Sequence, residues 1–493
     1  MKLPRRLIGM QDRGPRTLLG LNRVSNQLEL FLSAYSYMQI DVPVLEETEL
    51  FLRKSGGELA SKMYTFSDQG GYQVSLRPEF TASVVRAYLE GLNDGPLPIR
   101  WQYQGPVFRY DSEEIPTYRQ FNQVGAELIG ASGASADAEV LALAAQGLSA
   151  LGVRRHSLVI GHLGFISALL ESLGISDRAR MLLLASIPDL RLEGSGYNAV
   201  QARAISLGLL PPAGGSEAFH AQLARDEAIA FVERFESSEA LPPFGVRDIE
   251  EIRERYLRKQ QFSEDAGRFG TALNVLSRVA QVRGDPKDAI FRVREIAGGK
   301  VGKDQLERLE ETLLVLSSYD LGVPITLDFG LARGIAYYTG IVFEIQHLPT
   351  VDGNEVLNDF GLSLGGGGRY DGLVHALGGP EDTAAMGFAW TLEQTMLALS
   401  TDCSDALANS DELKLYIVRA INSKAQSAAV REAQRLRNQG IVVELELSQR
   451  SVNECLKYAS ARGAYRVLSV NSDGIVKEEN ITKPTTNSTT RRS

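Results

Sequence analysis

The sequence predicts an α+β protein with a mixed, mainly antiparallel sheet and covering helices. Two observations support this prediction. Two long β-rich runs, IRWQYQGPVFRYD and YRQFNQVGAELIG, are joined by a short charged connection, which is typical of an antiparallel pair. The strand pattern then returns at 325–345, after a long stretch with helical spacing of apolar residues. Strands that pair through turns, with helices between them, favour such a sheet over a purely parallel one.

Composition places the chain among ordinary globular proteins. It has 493 residues, enough for two to four domains, with 44% hydrophobic and 23% charged residues. No apolar run reaches the roughly 18–20 residues of a membrane span, and the basic N-terminus lacks the apolar core of a signal peptide. Cys403 and Cys455 have no metal-binding spacing, and none of the five histidines forms an H-x-x-x-H pair. We therefore expect a cytoplasmic protein with no membrane contact and no metal site.

Residues 1–154 are predicted to form the first part of a core. Apolar residues at helical spacing predict a helix over 16–37, followed by a strand, MQIDVPVLE. Pro43 removes a backbone donor from that strand, which favours a place at an edge or an interface. A second helix is predicted from about Thr81, and the Ala/Leu-rich stretch 135–152 is predicted to be a third.

Residues 155–320 are predicted to be a mostly helical insertion, and 321–400 the second part of the core. This second part begins with ITLDFGLARGIAYYTGIVFEI, residues 325–345, two apolar runs joined by a polar crest. On composition alone, a buried hairpin with a Gly turn is the better interpretation. The alternative is a wall of a substrate pocket, with a guanidinium and two phenols presented by Arg333, Tyr337 and Tyr338.

The C-terminal part has a different organisation. Residues 401–412 are small and polar, which is typical of a linker. Residues 413–471 alternate as βαβαβ, a compact parallel unit, and 472–493 have the composition of a disordered tail. The whole chain carries a net charge of −9, but 413–471 hold ten basic and four acidic residues, a net +6. Any nucleic-acid surface is therefore expected in this unit.

Three polar clusters fall where strands should be apolar. Buried Arg and Glu are rare unless they are paired or bind a ligand. An ion-pair network would explain any one cluster, whereas three in one sheet favour a pocket for a small molecule that bears both charges, such as an amino acid. The run LGGGGRYDGL lacks a phosphate-loop pattern and is better explained as a strand whose glycines let a ligand approach the backbone. The clusters are Arg77–Pro78–Glu79; Arg109, Tyr110 and Asp111 facing Arg119, Gln123 and Glu127; and Arg333 with Tyr337 and Tyr338.

Several segments together resemble the histidyl-tRNA synthetase family. VFRYDSEEIPTYRQFNQVGAELIG resembles the family's motif 2, and LARGIAYYTGIVFE resembles its histidine-binding signature. SLRPEFTASVVRA is similar to its L-R-P-E-G-T segment, and GGGGRYDGL with MGFAWTLEQ to its last strands and motif 3. IDVPVLE lies where motif 1 should be, and the C-terminal unit resembles the anticodon-binding domain. The resemblance implies a class II synthetase-type core and a homodimer formed through the motif 1 region.

The resemblance also implies roles for individual residues. It implies that Arg333 and Arg109 are catalytic, that Arg109, Asp111 and Arg119 face ATP, and that no metal is held by protein ligands alone. The histidine contacts that it implies are Glu79, Thr81, Gln123, Glu127, Arg333, Tyr337 and Tyr338.

The departures from the family's pattern lie on the ATP side. Gln394 stands where motif 3 carries an arginine, Phe80 where L-R-P-E-G-T carries glycine, Thr117 where an arginine is usual and Ala336 where the synthetases carry aspartate. A neutral donor in place of a charged one weakens phosphate binding by roughly 1.5–3 kcal/mol.

The combination of retained histidine contacts and lost ATP contacts resembles a branch of the family, the regulatory subunit of ATP phosphoribosyltransferase. This resemblance implies a histidine-binding protein that pairs with a catalytic subunit, and it implies no particular cofactor. The alternative is a divergent histidine–tRNA ligase that uses ATP, Mg²⁺ and tRNA. The regulatory subunits generally lack an anticodon domain, and the C-terminal unit favours the alternative.

Overall fold

The computed structural model describes residues 5–53, 56–92, 95–110, 118–191, 195–207, 209–210, 267–332, 337–348, 361–380, 383–402 and 414–481. The chain divides into two compact units, Met1–Cys403 and Ser404–Ser493. The division falls within the polar stretch that the sequence predicts as a linker.

The first unit contains a nine-stranded sheet and a three-stranded sheet in the described residues. The large sheet has the order β1-β5-β6-β12-β11-β10-β7-β9-β8, and the small one β2-β4-β3. The strands are β1 (Met38–Gln39), β2 (Leu45–Glu47), β3 (Tyr64–Ser67), β4 (Gln73–Leu76), β5 (Ile99–Phe108), β6 (Gln120–Ile129), β7 (His156–His162), β8 (Arg283–Gly284), β9 (Ile325–Asp328), β10 (Ile341–His347), β11 (Leu362–Arg369) and β12 (Ala385–Thr391). In the large sheet β1–β5 and β7–β9 are parallel pairs and the other pairs are antiparallel, which confirms the predicted fold class.

Helices cover this sheet and fill the segment between β7 and β9. None of the helices in the ranges given above is long and apolar enough to cross a membrane. The helices are α1 (Pro15–Ser33), α2 (Thr48–Leu52), α3 (Gly56–Ser61), α4 (Thr81–Leu89), α5 (Ala134–Leu151), α6 (Leu163–Ser172), α7 (Asp177–Ala185), α8 (Ile187–Leu190), α9 (Ser195–Ser206), α10 (267–280), α11 (Pro286–Ile296), α12 (Lys303–Ser317), α13 (Asp371–Ala376) and α14 (Leu392–Asp402).

Small residues let helix α5 pack closely against the sheet. Most of its side chains are buried, and they belong to one apolar core together with residues of α1, β6 and β12. Gly147 faces the ring of Trp390, where a Cβ atom would lie 2.4 Å from the indole. The indole nitrogen of Trp390 donates a hydrogen bond to the carbonyl of Ala144 at 2.9 Å, so this large side chain is satisfied within the core.

The two apolar runs of 325–345 do not form the hairpin that their composition predicts. β7 lies between β9 and β10, parallel to β9 and antiparallel to β10. Twelve residues, 329–340, separate the two strands, a length that can cross the end of β7. The hairpin interpretation is wrong because the two runs do not pair with each other; each pairs with β7, a strand more than 160 positions away.

The predicted insertion 155–320 also needs correction. β7, at its start, and the later strand β8 both belong to the nine-stranded sheet. The helices between them share one apolar core with α1 and α5. The sequence pattern predicts a separate insertion because helices dominate this segment. The apolar faces of these helices, however, are buried on the same sheet as the rest of the core.

The predicted strand MQIDVPVLE is interrupted. β1 holds its first two residues and pairs with β5 at the sheet edge, whereas its last two residues begin β2, which pairs with β4 in the small sheet. Pro43 lies in the turn between them, in accord with the constraint that proline puts on a strand. Helix α4 begins at Thr81, as predicted.

The second unit has the predicted βαβαβ order and one additional strand. Its elements are β13 (Tyr416–Ala420), α15 (Gln426–Arg437), β14 (Val443–Leu445), α16 (Val452–Ala461), β15 (Arg466–Val470) and β16 (Val476–Glu479). β14, β13 and β15 are parallel, and β16 adds antiparallel to β15. Placing 472–481 in a disordered tail was therefore wrong; Val476, Lys477 and Glu478 are exposed, so β16 lacks the alternation that marks a half-buried strand. Residues 482–493 lie outside the described residues.

Gly367→Ala is expected to destabilise the first unit. An added Cβ atom would lie 1.9 Å from the carbonyl oxygen of Gly387 on the neighbouring strand, and main chain cannot move aside cheaply. We expect a loss of roughly 1–3 kcal/mol in the free energy of unfolding, measured by urea denaturation. Gly270→Ala is the matched control: it lies in α10 with no atom within 4 Å of the added methyl group, and is expected to be neutral or stabilising by up to about 1 kcal/mol. Equal effects of the two changes would contradict the prediction.

Candidate functional site

The candidate site is built on the middle of β6, between β5 and β12. Glu127 pairs with Trp101 on one side and with Gly387 on the other. Gln123 lies four residues earlier on the same strand, so both side chains point to the same face of the sheet. Glu127 has no exposed surface and Gln123 is 8% exposed.

Three hydroxyl groups donate hydrogen bonds to the carboxyl group of Glu127. Tyr370 donates at 2.5 Å, Thr81 at 2.8 Å and Tyr103 at 3.0 Å. Tyr103 comes from β5, Tyr370 directly follows β11, and Thr81 is the first residue of α4. Three separate elements therefore converge on one buried acid.

Glycines make the room that this arrangement requires. A Cβ atom on Gly387 would lie 1.5 Å from a carboxyl oxygen of Glu127, and one on Gly125 would lie 2.6 Å from the hydroxyl of Tyr103. The sequence predicts that the glycine run on β11 lets a ligand approach the backbone. In the structure, two of these glycines make room for protein groups. A Cβ atom on Gly368 would lie 2.9 Å from the ring of Tyr338, and one on Gly367 would collide with the main chain of β12.

A second buried acid, Glu79, caps helix α4. Its carboxyl group accepts hydrogen bonds from the backbone N–H groups of Thr81 and Ala82, the latter at 3.0 Å, and lies 3.5 Å from the hydroxyl of Tyr337. Thr81 thus contacts both acids, through its N–H group and through its hydroxyl. We call the set Glu79, Thr81, Tyr103, Glu127, Tyr337 and Tyr370 the carboxyl cluster.

Burial favours the neutral form of both acids. The pKa of Glu127 is raised from 4.5 to about 8, chiefly by burial and also by the neighbouring Glu79, against the opposing effect of the hydroxyl donors. The pKa of Glu79 is also raised, chiefly by burial, against the backbone donors and the nearby Arg109. A bound cation would offset the cost of ionising this pair, so the cluster suits a ligand with ammonium or imidazolium groups.

Gln123 carries an acceptor with no donor. Its Oε1 atom is fully buried and has no hydrogen-bond partner in the described part of the chain. An unsatisfied buried acceptor costs roughly 1–3 kcal/mol, which a ligand N–H group would recover. The rings of Tyr337 and Tyr338 meet edge to face, with their centroids 5.0 Å apart. Tyr337 places this pair of rings next to Glu79 through its hydroxyl group.

The residues predicted to face ATP lie at the ends of the β5–β6 pair. The Nε atom of Arg109 donates to the carbonyl of Pro78 at 2.9 Å, and its guanidinium lies 5.3 Å from the ring centroid of Phe121. The guanidinium of Arg119 stacks on Tyr110 at 4.1 Å. Arg333 and Asp111, and the departures Thr117 and Ala336, lie outside the described residues.

Comparison with known protein families agrees with the family that the motif-like segments indicate. The sequence model described as histidyl-tRNA synthetase matches residues 9–194 and 247–395, more than half of the chain. The chain belongs to the histidyl-tRNA synthetase family. It is 28% identical to the histidine–tRNA ligase of Pyrococcus furiosus over 94% of this chain and 90% of that protein. It is 29% identical to that of Methanocaldococcus jannaschii over 94% of this chain and 90% of the relative.

Solved structures show the same fold. The apo histidyl-tRNA synthetase of Staphylococcus aureus superposes with a TM-score of 0.59 at 26% identity, covering 97% of each chain. A Bacillus halodurans protein described as an ATP phosphoribosyltransferase regulatory subunit/histidyl-tRNA synthetase gives a TM-score of 0.64 at 23% identity, covering 96% of this chain and all of that one. The second likeness concerns the fold alone.

Motif 3 of the family spans the end of β12 and the start of α14. Glu393 accepts hydrogen bonds from the backbone N–H of Asn122 at 2.9 Å and from Arg13 at 2.5 Å. Gln394, in place of the family's arginine, has a buried Oε1 atom with no partner in the described residues. This position therefore contributes no positive charge to the site.

Phe80 replaces the family's glycine and packs inside the core. Its ring stacks on Tyr103 at 4.2 Å, and the guanidinium of Arg77 covers its other face at 3.9 Å. Arg77 is itself held by main-chain carbonyls, of Pro106 at 2.9 Å and Val42 at 2.6 Å. Tyr103 thus lies between the Phe80 ring and Glu127, and the ring packs against the tyrosine that donates to the carboxyl group of Glu127.

Sequence reasoning did not single out Tyr103 and Tyr370. Both lie in segments that were recognised, but an aromatic residue in a strand is more often core than site. The signal that could have found Tyr370 is its place between Arg369 and Asp371, in a polar run at a strand end.

Glu127→Gln is expected to change how stability depends on pH. Because the pKa of Glu127 is raised from 4.5 to about 8, the folded protein holds a proton between these values that the unfolded chain releases. The contribution of Glu127 to stability is therefore complete below about pH 4.5 and is lost as the pH rises to 8, by on the order of a few kcal/mol. Urea denaturation should show the unfolding free energy of the wild type falling relative to that of the variant from pH 5 to pH 8; the same pH dependence in both proteins would contradict this assignment.

Proposed function

We propose that this chain binds histidine in the carboxyl cluster and acts as a non-charging regulatory protein, the regulatory subunit of an ATP phosphoribosyltransferase. The observation that carries the proposal is the contrast between the two halves of the site. Thr81 donates to both Glu79 and Glu127, and the hydroxyl of Tyr337 lies 3.5 Å from Glu79. Gln123 offers a buried acceptor. On the other half, Gln394 offers no charge to a phosphate.

Physical chemistry favours histidine over other amino acids. Its α-ammonium group and its imidazole carry N–H donors, for which the two acids of the carboxyl cluster and the amide oxygen of Gln123 are acceptors. Arg333 is proposed to pair with the carboxylate of histidine. Activation of histidine with ATP·Mg²⁺ demands positive charge that is fixed near the reacting phosphate. The neutral Gln394 does not supply such a charge.

The deciding experiment measures histidine binding and ATP–pyrophosphate exchange on the purified full-length chain. We expect histidine binding by calorimetry and no histidine-dependent exchange above background, with an active histidine–tRNA ligase as positive control. Exchange at a rate comparable to the control would overturn the regulatory proposal. Addition of the catalytic phosphoribosyltransferase subunit should give a complex whose activity responds to histidine.

Gln123→Leu is expected to separate binding from stability. The change removes an unpartnered buried acceptor, so the ligand-free protein should be equally or more stable, whereas histidine affinity should fall roughly 10- to 100-fold. Calorimetry and thermal unfolding measure the two effects. Gln346→Leu is the control: that buried glutamine donates to Glu344 at 3.0 Å on β10, and its loss should lower stability without changing histidine affinity. Unchanged histidine affinity in Gln123→Leu would refute the assignment.

A specific observation supports an active ligase as the second candidate. The relatives named histidine–tRNA ligase align over 94% of the chain, a span that includes the basic C-terminal unit with its net +6. In this case the unit would bind tRNA, with an affinity that falls steeply with salt. Filter binding of tRNA at 50 and 200 mM salt tests this candidate, and no measurable binding at the lower salt would eliminate it.

We also propose a homodimer through α1 and β1. β1 is an edge strand of two residues, and Met38 within it is 69% exposed. Leu30 on α1 is 71% exposed. Apolar side chains next to an open sheet edge favour association. Sedimentation equilibrium should give twice the chain mass, and Met38→Lys should shift the equilibrium toward monomer.

A further inference from the structure

The N-terminal segment 9–13 connects two elements that flank the site. The carbonyl of Gly9 accepts a hydrogen bond from the backbone N–H of Arg119 at 2.9 Å, just before β6. At the other end of the segment, Arg13 forms an ion pair with Glu393 at 2.5 Å, in the first turn of α14. Glu393 is also bonded to the N–H of Asn122. The segment therefore touches both parts of the site that the family uses for the nucleotide.

Gly9 is required for this placement. It has a φ of +77°, and an added Cβ atom would lie 2.5 Å from the side chain of Arg119. A residue with a side chain would be strained there and would collide. The segment is thus fitted closely to the arginine that the sequence places on the ATP side.

Arg13 keeps most of its hydrogen-bonding capacity for a ligand. A guanidinium carries five N–H donors, and within the described residues the side chain of Arg13 has Glu393 as its one partner. Its side chain is 18% exposed and that of Glu393 is 10% exposed. A partly buried cation with spare donors is well suited to an anion such as phosphate.

The neighbouring position lacks a charge. Gln394 follows Glu393 directly, and its buried Oε1 atom has no donor in the described part of the chain. Glutamine is neutral, so this side chain brings no positive charge to a phosphate. Arg13 reaches the same turn from the opposite end of the chain.

We propose that Arg13 is a nucleotide-binding residue, whose guanidinium contacts a phosphate group of a nucleotide held beside the histidine site and supplies the charge that Gln394 does not. The inference rests on the proposed histidine site for its location. It makes the protein a sensor of two ligands, histidine and a nucleotide. A purely structural Arg13, which ties the N-terminus to α14, predicts an effect on stability alone.

The test compares arginine variants of the full-length chain in the presence of saturating histidine. Arg13→Ala is expected to weaken binding of ATP·Mg²⁺ by about 10- to 100-fold in calorimetry, with histidine affinity unchanged. Arg13→Lys keeps the charge and should lose less. Arg6→Ala is the matched control, because Arg6 pairs with the exposed Asp12 at 3.3 Å in the same part of the chain and should leave ATP affinity unchanged.

A rescue experiment separates charge from structure. Gln394→Arg, added to Arg13→Ala, should restore most of the ATP affinity, whereas a structural loss would not respond to a charge at position 394. Unchanged ATP affinity in Arg13→Ala overturns the inference, as does a wild-type protein that binds histidine but not ATP; the second result leaves the regulatory proposal intact. Robust pyrophosphate exchange that depends on Arg13 would refute the regulatory proposal and support the role of Arg13.

Discussion

The burial of Glu127 at the centre of the nine-stranded sheet constrains much of the first unit. An isolated buried carboxylate is too costly to keep, so its hydrogen bonds and its proton must be provided by the fold. Tyr103, Tyr370 and Thr81 provide three donors. These bulky donors fit because Gly125 and Gly387 leave space. One acid therefore dictates the residue type at several positions on four elements.

The same constraint couples the site to helix α4. Glu79 caps the first turn through the N–H groups of Thr81 and Ala82, and the hydroxyl of Thr81 reaches Glu127. A change of charge at either acid is therefore transmitted to the start of the helix and to the other acid. A cationic ligand favours ionisation of the pair, whereas the empty cluster favours the neutral forms. Ligand charge and proton binding are thus linked in this site by geometry.

The sequence predicted those features that depend on local pattern. The β5–β6 pair, helices α1 and α4 and the βαβαβ unit follow from periodicity, turns and caps in contiguous stretches. The pairing of β9 and β10 with β7 did not follow, because strand partners far apart in sequence leave no local sign. β16 was missed because its exposed residues have no apolar alternation. Tyr103 was missed because an aromatic residue on a strand is usually a core residue. The signature residues of the site were found by resemblance, and their contacts were not.

The two halves of the site differ in how strongly the fold depends on them. On the proposed histidine side, the groups of the carboxyl cluster are buried and bonded to other elements, so that most substitutions of these residues also cost stability. On the nucleotide side, the groups lie at strand ends and helix starts: Gln394 is only partly buried, and Arg13 enters from an otherwise exposed segment. A charge can be lost or moved there with little effect on folding. In this chain, the proposed nucleotide contacts can therefore change at less cost to folding than the groups of the carboxyl cluster.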